Sequence, residues 1–137
     1  MRESALPSKA VRLALAAVLA HAVVSALHAA AHQVLGINAS PSQTLFIVAV
    51  ILVAPLVAGF LLWKGKRAGA VILACAMAGS LIFGVYNHFW VSSPDHVTEV
   101  GHLPQKSWAL VFQVSAALLA LVEAFGIWAG MRVLGRA

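Results

Sequence analysis

The sequence predicts an all-α integral membrane protein, a four-helix bundle with both termini in the cytoplasm. Three observations predict it: the composition, four long apolar segments, and the placement of the basic residues. Of the 137 residues, 62% are hydrophobic and only 9% are charged, and the mean hydropathy is +0.95. A soluble domain carries about a quarter charged residues, so lipid rather than water must solvate most of this chain.

Four apolar segments, separated by short polar connections, are each long enough to cross a bilayer. About 20 residues span a hydrocarbon core roughly 30 Å thick, and a helix satisfies every backbone group inside lipid. The predicted helices are residues 10–37, 44–63, 68–91 and 107–131. The first is about twice as long as the core of a signal peptide, so we expect a membrane helix there. Residues 1–137 should form a single domain with one outer loop, residues 92–106.

The basic residues lie almost entirely on one side of this topology. Of the nine lysines and arginines, only Lys106 lies on the opposite side. The other eight are Arg2, Lys9, Arg12, Lys64, Lys66, Arg67, Arg132 and Arg136. Because such residues accumulate on the cytoplasmic side, the chain is predicted to be a multi-pass protein of the cell (inner) membrane. The net charge of +5 then reflects contact with the lipid bilayer, and nucleic acid is not an expected partner.

The first segment carries a polar stripe on an otherwise apolar helix. At 100° per residue, the four side chains fall within an arc of about 60°; they are His21, Ser25, His28 and His32. Polar side chains facing lipid are costly, so the stripe should face the bundle interior or a wet cavity. His28 and His32 are an i, i+4 pair, a spacing that lets two imidazoles reach the same ion.

More polar groups of the same predicted depth come from the end of the third segment and the loop after it. They are Asn87, His88, Asp95, His96, Glu99 and His102. Imidazole and carboxylate together are ligands for zinc, copper(II), nickel or iron(II). No methionine or cysteine lies at this depth, which disfavours copper(I). The sequence therefore predicts a transition metal ion, zinc or copper(II), bound at the outer face.

The predicted ligands are His28, His32 and His88, with His102, His96 or Asp95 completing the set. Three further residues, Ser25, Asn87 and Gln113, are expected to add polar contacts. Deeper in the membrane, Glu123 and His21 lie about nine residues from the inner boundary. A carboxylate there must be neutralised or paired, so the two are a candidate pair. They either extend the stripe into a path for protons or ions, or only hold helices together.

The function predicted from these features is metal handling, meaning sensing, delivery or transport assistance, rather than catalysis. One alternative is a b-type haem electron carrier, with His28 or His32 opposite His88 as axial ligands. Another is an intramembrane hydrolase with histidine-bound zinc, although no GxSxG, glycine-rich phosphate loop or CxxC motif is present. The last is an accessory or scaffold subunit without a ligand. Small residues at four-residue spacing make a homo-oligomer or a larger membrane complex plausible for all of them.

Overall fold

The computed structural model describes residues 8–135 as helices joined by short connections, with no β-strand in that range. The helices are α1 (Ser8–Leu35), α2 (Pro41–Trp63), α3 (Ala68–Trp90), α4 (Val97–Val100) and α5 (Lys106–Leu134). All except α4 are long and apolar enough to cross a membrane. The predicted all-α, multi-pass membrane bundle is therefore confirmed. Arg2 and Arg136 lie outside the described residues, and the cytoplasmic placement of the termini stays a prediction.

The basic side chains gather at one end of the bundle, called the inner end below. The Arg67 guanidinium donates a hydrogen bond to the Leu134 carbonyl at 3.1 Å, which joins the α2–α3 corner to the end of α5. Lys106 lies at the opposite, outer end, where its ammonium group donates to the Gly101 carbonyl at 2.9 Å. The two ends of the bundle thus differ in charge as the sequence indicates.

The inner half of the bundle is densely packed. Its buried core consists of Ala10, Ala14, Val18, Ala58, Leu62, Ala70, Leu73, Met77, Ala129 and Val133. Two glycines show how closely the helices approach. A Cβ on Gly69 would lie 2.6 Å from the Ala58 carbonyl oxygen, and one on Gly126 would lie 2.7 Å from Met77 Cγ. Small residues at helix contacts allow this approach, and the inner end is closed as a result.

The outer half of α2 packs against α3, where the Phe46 and Phe83 rings stack with their centroids 4.9 Å apart. It begins with a capping box, in which Ser40 and Gln43 exchange side-chain and backbone hydrogen bonds, and no residue from Pro41 to Val53 is buried. The backbone over Ile47–Val53 is π-helical and ends just before Pro55. Proline lacks an N–H donor and crowds the preceding turn, so a widened turn accommodates it. A cavity of about 1220 Å³ lies between this half of α2 and helices α1 and α5.

The segment between α3 and α5 folds back over the outer end of the bundle. Val100, in α4, is fully buried against Ala31, Ala109 and Phe112. The Gln113 side-chain amide donates to the Val97 carbonyl at 2.7 Å and fixes α4 to α5. This anchoring fixes the loop that precedes α4, and Asp95 in that loop lines the cavity.

Candidate metal centre

Three histidines from two membrane helices converge at the outer end of the bundle. His28 Nε2 lies 3.2 Å from His88 Nε2 and 3.2 Å from His32 Nε2. One ring nitrogen from each of the three can be chosen so that all lie within 4.8 Å of one another. His28 and His88 are buried and His32 is half-buried. The predicted polar stripe of α1 therefore faces the interior of the bundle.

Local helix geometry explains how the rings meet. His28 and His32 are one turn apart on α1 and share a face. His88 lies in the π-helical last turn of α3, Tyr86–Trp90, where the Val91 N–H reaches back five residues to the Tyr86 carbonyl at 2.9 Å. Such local widening of a helix is often found at functional sites.

The hydrogen on the His28 ring is located by its hydrogen-bond network. His28 Nδ1 lies 2.8 Å from Ser115 Oγ. The Ser115 hydroxyl donates its own hydrogen to the Phe112 carbonyl at 3.0 Å, so it accepts from His28. Nδ1 of His28 therefore carries the hydrogen, and Nε2 of the neutral ring presents a lone pair.

The other two rings are oriented in the same way. His32 Nδ1 donates to the Ile37 carbonyl at 3.3 Å, and His88 Nδ1 donates to the Asp95 carbonyl at 3.1 Å. A carbonyl oxygen can only accept, so both rings also carry the hydrogen on Nδ1. The Nε2 atoms of all three rings are thus left for a further partner, and two of the three Nε2 pairs are 3.2 Å apart.

Nitrogens this close need a positive charge between them, either a proton on one of the Nε2 atoms or a metal ion that the rings share. A tetrahedral ion with metal–nitrogen bonds of about 2.0–2.1 Å holds its ligand atoms about 3.3 Å apart, close to the 3.2 Å observed here. Two of the three nitrogen pairs therefore have the spacing of two ligands of one ion, and all three nitrogens lie within 4.8 Å of one another.

Asp95 adds a carboxylate to the three imidazoles. Its Oδ1 lies 3.3 Å from His32 Nε2 and is buried without a hydrogen-bond partner. Its Oδ2 lies 3.3 Å from His88 Nδ1. Oδ1 therefore has no hydrogen-bond partner beside the cluster, while Oδ2 is within reach of a cluster histidine, an arrangement common at metal centres.

A single aromatic ring, that of Phe112, covers the cluster from the side of α5. Its centroid lies 4.7 Å from the His28 ring, 4.9 Å from His32 and 5.3 Å from His88. This apolar wall limits water access to the nitrogens. Its packing against all three histidines also occupies space beside them that a haem macrocycle would need.

Two histidines proposed as ligands from the sequence lie outside the cluster. His96 is the N-cap residue of α4, and its Nδ1 accepts from the Thr98 backbone N–H at 3.3 Å and from the Thr98 hydroxyl at 2.7 Å. His102 is exposed. The histidines of the cluster are His28, His32 and His88. The helical capping by His96 explains its absence, because its Nδ1 is committed to Thr98.

The predicted supporting residues serve the fold around the centre. The Asn87 side chain donates to the Phe83 carbonyl at 2.8 Å and accepts from Gln43 at 3.2 Å, which ties α3 to the start of α2. Gln113 holds α4, as described above. Glu99 is exposed at the rim of the cavity. None of the three is a ligand in this structure.

The deeper pair is also brought together. His21 Nε2 lies 3.4 Å from Glu123 Oε1, and both side chains are almost completely buried. Ser25 is buried one turn of α1 further out. The predicted polar stripe is therefore continuous from the middle of α1 to its outer end.

Sequence reasoning missed Ser115 and Phe112. The one indication for Ser115 is its depth in the membrane. Ser115 lies about nine residues from the outer end of α5, and His28 lies about seven residues from the outer end of α1. No comparable signal marks Phe112 among the many apolar residues of α5.

No family model, no curated protein and no solved structure matches this chain.

Proposed function

We propose that the chain binds a divalent transition metal ion, zinc or copper(II), at the outer end of the bundle. The ligands are Nε2 of His28, His32 and His88, with Oδ1 of Asp95 as the fourth. The observation that carries the proposal is the convergence of three imidazoles from two helices, with ring nitrogens within 4.8 Å of one another and a hydrogen-bond partner at each Nδ1. Nitrogen and oxygen donors suit these metals, and no sulfur-containing side chain lines the cavity among the described residues.

We place the centre on the non-cytoplasmic face of the cell (inner) membrane, because basic residues mark the other end of the bundle. The function is metal handling, which covers sensing, delivery and assistance to transport. Two features support binding of the ion rather than its passage across the membrane. The cavity adjoins the histidine cluster, and the inner half of the bundle is filled by a packed apolar core. An ion held here can be released outward without an open path across the membrane.

The test is metal analysis of the full-length protein purified in detergent. After loading with Zn²⁺ or Cu²⁺ and gel filtration, the wild type should retain one equivalent by elemental analysis. His28→Ala and His88→Ala should each lose it. The matched controls His96→Ala and His102→Ala remove histidines outside the cluster and should retain it.

Three results would contradict the proposal. They are a wild type without bound metal, equal losses in the cluster and control variants, and a Soret absorption band, which would identify haem instead. Circular dichroism and gel-filtration profiles show that each variant is folded before its metal content is compared.

A further inference from the structure

A second polar cluster lies deeper in the bundle than the outer centre. It consists of His21 and Ser25 on α1 and Glu123 on α5, with 2%, 6% and 3% of their surfaces exposed. His21 precedes His28 by seven residues, about 10 Å along a helix that rises roughly 1.5 Å per residue. The outer centre does not use any of these three side chains.

Two atoms of this cluster are buried without a hydrogen-bond partner. They are His21 Nε2 and Ser25 Oγ. The distance of 3.4 Å from His21 Nε2 to Glu123 Oε1 is longer than the roughly 2.7–3.2 Å of a well-formed hydrogen bond. Buried polar groups in folded proteins almost always have a partner, and an exception marks the position of a water or an ion. A carboxylate inside a membrane likewise requires neutralisation.

The cavity connects this cluster with the outer centre. Ser25 and Glu123 line the same cavity as the three histidines of the outer centre. Beyond Glu123 the way inward is closed by the contact of Gly126 with Met77, where a Cβ on the glycine would lie 2.7 Å from Met77 Cγ. An ion that passes the outer histidines would therefore reach Glu123 and stop there.

We propose that His21, Glu123 and Ser25 form a second, inner site for a divalent transition metal ion, supplied through the cavity from the outer centre. This proposal rests on the proposed function, because the ion enters past His28. The nitrogen–oxygen spacing of 3.4 Å is close to the roughly 3.3 Å between two ligands of one tetrahedral ion. An imidazole, a carboxylate and a hydroxyl are weaker together than three imidazoles and a carboxylate. The inner ion is consequently bound less tightly and exchanges faster.

Equilibrium dialysis of the full-length protein in detergent against Zn²⁺ separates the two sites. The wild type should bind two equivalents, the second at higher free Zn²⁺. Glu123→Gln should keep the tight equivalent and lose the weak one, and His88→Ala should lose the tight one. Ser25→Ala should weaken the second equivalent several-fold. Its matched control is Ser80→Ala, because Ser80 also lines the cavity but donates within its own helix to the Ala76 carbonyl.

The outcomes distinguish the two proposals. A wild type with one equivalent, or a Glu123→Gln variant that binds as much as the wild type, overturns the inner site and leaves the outer centre standing. A wild type that binds no Zn²⁺ overturns both proposals. If Glu123→Gln does not fold, His21→Gln removes the nitrogen ligand and decides the same question by the same measurement.

Discussion

His28 on α1 donates its Nδ1 hydrogen to Ser115 Oγ on α5 across 2.8 Å. The hydroxyl accepts this bond because its own hydrogen is committed to the Phe112 carbonyl. The bond fixes both the rotation of the imidazole and the nitrogen that carries the hydrogen. An acceptor behind a ligand histidine also raises its basicity toward a metal. In the proposed metal centre Ser115 would therefore act through His28, without contact to the ion.

Replacing Ser115 with alanine should weaken metal binding roughly 10–100-fold, the range found when such supporting groups are removed. The ring of His28 would then be free to rotate or to move its hydrogen to Nε2. The measurement is competition for Zn²⁺ with a chelator of known affinity. Ser107→Ala, an exposed serine on the same helix, is the matched control. Unchanged affinity in Ser115→Ala would show that the hydroxyl does not orient the ligand.

Asp95→Asn should also lower the metal affinity by at least roughly tenfold. The change preserves the shape of the side chain but removes the negative charge of Oδ1, which lies 3.3 Å from His32 Nε2. It also replaces one carboxylate oxygen with a donor that cannot accept from His88. The same chelator competition measures the loss, and Glu99→Gln neutralises an exposed carboxylate of the same loop as a control. Equal effects of the two variants would mean that charge alone matters, without coordination by Asp95.

Much of this centre is readable from the sequence because helices and membranes impose simple geometry. The i, i+4 spacing places His28 and His32 on one face. A count of residues from the membrane boundary brings His88 to their depth and His21 to that of Glu123. Depth counting works here because each segment must cross the same hydrocarbon thickness.

The remaining parts of the centre depend on tertiary contacts that carry no periodic signal. Asp95 reaches the histidines, whereas His96 and His102 do not, because burial of Val100 fixes how the loop folds over the outer end. That burial gives His96 a capping role in α4. A single serine such as Ser115 is not marked in sequence as a partner of histidine, since hydroxyls in membrane helices more often bond their own backbone.

Metal should stabilise the fold, because in the proposed centre the three ligand histidines come from two helices and the fourth ligand comes from the loop. At a free metal concentration 100 times the dissociation constant, the gain is roughly 2.7 kcal/mol. The midpoint of thermal unfolding in detergent should rise on adding Zn²⁺ and return on adding a chelator. His88→Ala should show no such rise, while His102→Ala should respond as the wild type does. A rise of equal size in both variants would indicate non-specific binding.

The closed inner end can be tested with two glycines of α3. Gly69→Ala places a methyl group 2.6 Å from the Ala58 carbonyl oxygen, against backbone that cannot move aside, and overpacking of this kind costs about 1–3 kcal/mol. Gly84→Ala is the control, because its nearest atom would be His88 Cδ2 at 4.0 Å. Only Gly69→Ala should lower the unfolding midpoint. A stable Gly69→Ala variant would show that α2 and α3 are further apart than described.

Acidification should release the metal. Each imidazole must be neutral to coordinate, so protons compete with the ion for the same Nε2 lone pairs. The sign follows directly: lowering the pH lowers the affinity, and raising the pH restores it. Because three histidines share the ion, the dependence should be steeper than one proton per metal bound. Chelator competition across a pH series, together with an indicator dye that counts released protons, measures the slope. His102→Ala should keep the wild-type slope, and His32→Ala should reduce it. An affinity that is constant with pH would rule out coordination by the three imidazoles and leave their convergence as helix packing alone.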